Sequence, residues 1–266
     1  MKLKDKPLSE LDKIFSDKTS GSTDLVLKLN MWVTKHSRDS HLINEMIKRA
    51  GRELKSFAAI DNYLKKLKRI NFKKDLNAIQ YFITAFEIKI KEKYRRLYLN
   101  ARKEIGNHKT ILTISNSKTL REIFTLWRKE EKNLKVIIAE SRPNYEGRLL
   151  AKALLKNKLR IELITDGMLS LFIPRVDAVI IGADKILSNR NVINKVGSLS
   201  AAIQCKYYKK PFYVLATKDK FTNEKRYKSE EKNQKEIWNY DHPNLKVMNI
   251  YFEEIDRDLV TKIITD

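Results

Sequence analysis

Residues 109–140, KTILTISNSKTLREIFTLWRKEEKNLKVIIAE, decide how this chain folds. Two short runs rich in Ile, Leu and Val, KTILTIS (109–115) and LKVIIAE (134–140), flank an amphipathic stretch that begins near Lys118. A strand, a helix long enough to cross over and a second strand make a βαβ unit, and near-continuous apolar strands fit a parallel sheet covered on both faces. The same texture recurs downstream in LRIELIT (159–165), DAVIIGA (177–183) and PFYVLAT (211–217). Helices are predicted to begin near Asn144, Asp166 and Gly197. A further strand, KVMNIYF (246–252), and a short helix, DRDLVTKII (256–264), are predicted to close the chain. Before them lies a charged stretch, residues 218–243, which reads as a surface excursion, either a solvated connection or a lid.

Upstream of Gly106 the period is helical. Leu25, Leu29, Trp32 and Val33 recur at helical spacing, as do Phe57, Ile60, Leu64 and Leu67, and then Ile79, Ile83, Phe86 and Ile90. Gly106 reads as the residue that ends the last of these helices. The expected fold is therefore α/β, with an amino-terminal helical domain over 1–105 followed by a Rossmann-like domain with a mostly parallel sheet over 106–266.

Composition narrows the function classes. A chain of 266 residues that is 42% hydrophobic can bury a core. The single cysteine, Cys205, excludes an intramolecular disulfide, and it reads as a small buried apolar residue. One cysteine and four scattered histidines offer no metal-ligand spacing, so neither a metal nor a cofactor is expected. The amino terminus shows no apolar targeting segment and no stretch is long enough to span a bilayer, so a cytoplasmic protein is expected. The formal charge of +22 would draw anions, but the Lys and Arg residues are spread along the whole chain and no nucleic-acid motif accompanies them. Nucleic acid is therefore not the expected partner.

In an open parallel sheet, ligands bind beyond the carboxyl ends of the strands, where strand order reverses. That rule gathers Ser115, Asn116, Ser117 and Lys118 after the first strand, Ser141 and Arg142 after the second, Asp184 after the fourth, and Lys218 and Lys220 after the fifth. Two predicted helix starts offer unpaired N–H groups to a phosphate, one after Ser117 and one after Asn194, Lys195 and Gly197. Each residue also has a plainer reading: Asp184 can cap a turn, Lys195 can be a surface lysine, and Arg142 can pair with Glu146 as a loop clamp. No GxGxxG or Walker sequence is present.

Taken together, IIGADKILSNRNVINKVGS (180–198), AESRPNYEGRLLAKAL (139–154) and TISNSK (113–118) resemble the signature set of one superfamily. It comprises the alpha, beta and delta subunits of eukaryotic initiation factor 2B, their archaeal relatives, ribose-1,5-bisphosphate isomerase and methylthioribose-1-phosphate isomerase. The resemblance is strong over about 105–222, and TSGSTDLVLK (19–28) resembles the superfamily's amino-terminal ligand-contact turn. It implies that Ser117 and Lys118 contact a ligand phosphate, that Asn194 and Lys195 hold a sugar phosphate, and that Lys220 closes the site. Ser20, Gly21 and Ser22 stand where the isomerases place an arginine-glycine pair, so an arginine is missing there.

In the isomerases a cysteine ends the first strand as the base and the aspartate of the GAD run is the acid. Asp184 matches the aspartate, but Ser115 stands at the cysteine position. A thiol can be tuned toward a thiolate near neutral pH, whereas a serine hydroxyl needs an adjacent base. The resemblance therefore implies an initiation factor 2B-like protein that binds a sugar phosphate or nucleoside monophosphate in a regulatory role. Its rival is an aldose-ketose sugar-phosphate isomerase using Asp184 with a different base. A homodimer or an assembly with related subunits is implied, with a translation GTPase as partner where the host has one.

Overall fold

The computed structural model describes residues 6–17, 20–70 and 76–266. Packing divides the chain into two compact units at Lys93 and Tyr94.

The first unit is helical: α1 (Lys6–Phe15), α2 (Ser22–His36), α3 (Ser40–Glu53), α4 (Ala58–Lys68) and the start of α5 (Leu76–Ile105). The apolar stripes read from the sequence are its core, with Leu25, Leu29, Trp32, Val33, Ile60, Leu64, Leu67 and Ile83 all buried; the Ile79 side chain lies outside the described residues. Buried Asn30 is satisfied at both ends, accepting from Tyr63 Oη at 3.1 Å and donating to the Ile83 carbonyl at 3.4 Å.

The second unit begins inside α5. Leu97, Tyr98, Ala101 and Ile105 bury their side chains with the sheet, so the packing boundary falls roughly three turns ahead of the change in sequence period. Gly106, at φ +63°, ends the helix as its spacing predicts. The strands β1 (Thr110–Ile114), β2 (Lys135–Ala139), β3 (Arg160–Ile164) and β4 (Ala178–Ile181) follow, joined by α6 (Lys118–Glu130), α7 (Glu146–Lys156) and the single turn α8 (Leu169–Phe172). A hairpin of β5 (Lys185–Ile186) and β6 (Val192–Lys195) leads into α9 (Ser198–Tyr207), β7 (Phe212–Leu215), β8 (Phe252–Ile255) and β9 (Lys262–Ile264).

The main sheet has six parallel strands in the order β3-β2-β1-β4-β7-β9, and β5-β6-β8 form a separate antiparallel sheet. Alternation along each strand sorts the core into two layers. Ile111, Val136, Ile138, Ala178 and Ile180 pack with α6, α7 and the end of α5. Leu112, Ile137, Ala139, Val179 and Ile181 face the other way, toward Leu169, Ala201, Ala202 and Cys205.

Three expectations change. The helix expected after Asp166 breaks into short turns around Pro174, whose ring cannot continue a helix. The strand expected over 246–252 begins only at Phe252. The expected closing helix is a 3-10 turn (Arg257–Leu259) and then β9, because Asp256 accepts from Asp258 N at 2.8 Å to make the turn and the β-branched pair Ile263 and Ile264 completes the edge of the sheet beside β7.

The fold makes two predictions. A Cβ on Gly147 would lie 1.9 Å from the carbonyl oxygen of Ala139, which is backbone and cannot move aside. Gly147→Ala should therefore cost about 3 kcal/mol or more, read from urea unfolding. Burial would raise the Asp177 carboxyl, but the N–H groups of Thr110 (2.8 Å) and Lys109 (2.7 Å) hold it below the usual range. Stability from a depressed carboxyl is present above its unfolded pKa of about 3.9 and lost as pH falls through the folded value. The stability gap between the native chain and Asp177→Asn should accordingly be widest above about pH 5 and close toward about pH 2; a gap that does not change with pH would refute the assignment.

Candidate functional site

The order of the six strands reverses between β1 and β4, and the residues beyond their carboxyl ends form the site's floor. Ser115 leaves β1 in the left-handed region, φ +68°, and its N–H donates to Ser141 Oγ at 2.8 Å. Ser141 leaves β2 in the same way, φ +63°. Asp166, after β3, accepts from the N–H groups of Ser141 (2.9 Å) and Arg142 (2.7 Å), so three strand ends are tied in one network. Ser117 caps α6, its Oγ accepting from Leu120 N at 3.4 Å. Gly182 passes so close that a Cβ there would lie 2.7 Å from Ser117 Oγ, which places the start of the Gly182–Asp184 loop against the α6 terminus.

Beside this floor lies a buried ion pair. Lys195 Nζ, at the end of β6, is 2.8 Å from Glu146 Oε1, the first residue of α7, and both side chains are almost completely buried. Lys195 also sits over the Tyr251 ring, 4.1 Å from its centroid. Burial raises the Glu146 carboxyl above its usual range; Lys195 pulls against this and the negative charge of Asp184 adds to it. The expected Arg142–Glu146 clamp therefore does not form: Arg142 Nη1 bonds Tyr145 Oη at 2.5 Å and its guanidinium covers that ring. Nor is Lys195 a surface lysine.

The second helix start is not open to a phosphate. Glu253 of β8 accepts from Leu199 N at 2.8 Å and is also bonded by the backbone of Gly197 and Ser198. A carboxylate of the chain itself thus occupies the α9 terminus. Asn194 is buried, donating to Ser198 Oγ at 2.9 Å.

The charged excursion is fastened to the site rather than simply solvated. Glu224 pairs with buried Lys185 at 2.8 Å, Glu236 accepts a short hydrogen bond from Tyr251 and one from Asn249 Nδ2 at 3.0 Å, and Tyr227 is pushed up to about 12 by burial, with Glu230 and Asp184 adding to the shift. Lys220 is buried in the turn after β7.

Of the expected site residues, Ser115, Ser117, Lys118, Asp184, Asn194, Lys195 and Lys220 all lie beyond the carboxyl ends of the strands or on the hairpin and helix beside them. Ser20, Gly21 and Ser22 belong to the helical unit, and residue 19 lies outside the described residues. There Ser20 N bonds Asp17 Oδ1 at 3.0 Å, and Lys28 Nζ bonds Ser20 Oγ at 3.0 Å and the other Asp17 oxygen. Lys28 thus supplies a cation in the turn that lacks the arginine. Cys205 is fully buried, its thiol pushed up to about 12 by that burial, and is no candidate base. Among the described residues, no side-chain base hydrogen-bonds the Ser115 hydroxyl and no group of three or more His, Cys, Asp or Glu residues is placed to hold a metal. No helix is long and apolar enough to cross a membrane among them.

Tyr251, Asp166 and Glu253 were not singled out from the sequence as site residues, and Glu146 was read only as a partner for Arg142. The signal for Glu146 was its place on α7 facing a βαβ rim; for Glu253 there was none, because its strand pairs with β6 across about 60 residues.

The sequence profile of the Initiation factor 2 subunit family matches residues 16–266. A translation initiation factor eIF-2B subunit 2-like protein of Pyrococcus furiosus is 34% identical over 162 residues, which is 61% of this chain and 58% of that protein. Ribose 1,5-bisphosphate isomerase of Archaeoglobus fulgidus is 32% identical over 170 residues, 62% of this chain and 54% of the enzyme. This chain thus aligns with little more than half the length of these relatives. The crystal structure of the Pyrococcus horikoshii translation initiation factor eIF-2B superposes with a TM-score of 0.82 at 25% identity, covering 98% of this chain and 94% of that one.

Removing one partner of a buried pair strands the other charge, at about 3–5 kcal/mol, whereas replacing both by apolar groups is often near neutral. Lys195→Met should thus destabilise the chain by about that amount in urea unfolding, and Glu146→Leu introduced with it should recover most of the loss.

Proposed function

The chain belongs to the Initiation factor 2 subunit family, and from that premise we propose that it is an initiation factor 2B-like protein whose site holds a sugar phosphate or nucleoside monophosphate in a binding, regulatory role. Phosphate falls to the α6 terminus, where backbone N–H groups, Lys118 and the Ser117 hydroxyl meet at the switch point, because Glu253 already takes the α9 terminus. Lys220 and Lys195 flank the ligand, and Asn194 orients it. The segment 106–266 is the ligand-binding and dimerisation domain and 1–105 the helical one. The protein works in the cytoplasm as a homodimer or with related subunits. No cofactor is required.

The observation that carries the noncatalytic role is Ser115. It stands at the end of β1 with its N–H bonded to Ser141 and no base on its hydroxyl among the described residues. The Ser115 hydroxyl has no acceptor to take its proton and form an alkoxide, so the proton abstraction of an aldose-ketose isomerisation lacks its base. The second reading, a sugar-phosphate isomerase, is favoured by the kinship to ribose 1,5-bisphosphate isomerase and by a second carboxylate, Glu146, close enough to Asp184 to feel its charge.

Titrating the purified chain with ribose 5-phosphate, methylthioribose 1-phosphate, AMP and GMP separates the two. A ligand at a hundredfold its Kd adds about 2.7 kcal/mol, which raises the melting temperature by several degrees. One of the four should do so, Asn194→Ala should abolish that shift, and NMR should show the ligand chemically unchanged. Turnover by the native chain would establish the isomerase; turnover appearing only in Ser115→Cys would show an intact pocket that lacks its base.

A further inference from the structure

We infer that Glu146 makes the pocket one-ended, selecting a monophosphate with free hydroxyls and rejecting a bisphosphate. This rests on the phosphate-binding reading above and names its ligand class.

Lys195, the cation that faces a sugar phosphate in that reading, is already held at 2.8 Å by the Glu146 carboxylate. A phosphoryl group arriving there must displace that carboxylate or meet it at contact distance. Asp184 carries a second negative charge close enough to act on Glu146. A third carboxylate, Glu253, sits on the N–H groups at the start of α9, in register with Asn194. Glu146 and Asp184 thus bring two carboxylates to a part of the site whose ammonium is already paired, and Glu253 closes the α9 terminus to a phosphate. The start of α6 presents Ser117, Lys118 and backbone N–H groups, which in that reading hold the phosphate.

Glu146 itself marks what the acidic side accepts. It is 6% exposed, and its second oxygen, Oε2, is buried without a hydrogen-bond partner among the described residues. Buried acceptors in folded proteins are almost always satisfied, so a donor belongs there. A ligand hydroxyl supplies a donor; a phosphate dianion supplies only acceptors and adds a like charge. Selectivity thus comes from the repulsive element as much as from the attractive one.

Two probes test this on the full chain by calorimetry: ribose 5-phosphate, and ribose 1,5-bisphosphate, which differs by one phosphoryl group. The native chain should bind the monophosphate at least about tenfold more tightly, since like charges brought together in a closed site cost at least that factor. Glu146→Gln keeps the shape, removes the charge and adds a donor, so it should erase or reverse that preference. Asp184→Asn leaves the Lys195 pair intact and should move the preference the same way, which keeps the test open if Glu146→Gln does not fold. Equal or tighter binding of the bisphosphate by the native chain would overturn the inference and leave the phosphate pocket standing. Binding of neither probe by the native chain or either variant, with no melting shift from methylthioribose 1-phosphate, AMP or GMP, would overturn the pocket itself.

Discussion

A salt bridge between two side chains withdrawn from water is the constraint around which the second unit's polar groups are arranged. Glu146 starts α7, which packs on the parallel sheet, and Lys195 ends β6, which belongs to the antiparallel sheet. Burying two charges is unfavourable unless geometry and further contacts compensate, and here the ammonium is completed by the face of Tyr251. Tyr251 donates in turn to Glu236, which also accepts from Asn249 Nδ2, and Asn249 Nδ2 donates as well to the carbonyl of Asn233. The pair thus joins the two sheets and, through the aromatic ring, anchors the long excursion.

That arrangement explains why so many polar groups can be buried at one edge of the sheet. Parallel strands must deliver all their carboxyl ends to the same side, and the ends of β1 and β2 are closed by side chains from the loops that follow β2 and β3: Ser141 on Ser115, Asp166 on Ser141 and Arg142. At two neighbouring strand exits the backbone turns through left-handed geometry at a serine, and the N–H of each serine is taken by a side chain of the neighbouring loop. The close approach of Gly182 to Ser117 then requires glycine, because any side chain would collide with the cap of α6.

Much of this was legible in the chain. The switch from helical spacing to short β-branched runs located β1, β2, β3, β4 and β7 of the main sheet and the helices α6, α7 and α9, since each depends on local periodicity, but not the short hairpin of β5 and β6. What was not legible depends on distant pairing. Val260, Ile263 and Ile264 fit a helix stripe or an edge strand equally well, and only the exposed edge of β7 decides between them. The α9 terminus read as a phosphate site because its own sequence ends in glycine and serine; the carboxylate that fills it arrives from Glu253, more than 50 residues later. Glu146 read as a partner for Arg142 because the two are four apart, but Arg142 finds Tyr145 nearer and the pair forms with Lys195 instead.

The contrast between the whole chain and its site follows from the same geometry. A formal charge of +22 surrounds the molecule with a field that attracts any phosphorylated compound, whatever its detail. Attraction of that kind is screened by salt and carries no information about structure. Inside the site the balance is different: Lys185 is matched by Glu224 and Lys195 by Glu146, with Asp184 and Glu253 alongside. Because Lys185, Lys195 and Glu146 are withdrawn from water, their short-range interactions outweigh the diffuse field at contact distance. On the proposed reading, a basic surface that gathers anions is thereby coupled to a site whose carboxylates decide which part of an anion can enter, and the ligand's hydroxyls matter as much as its phosphate.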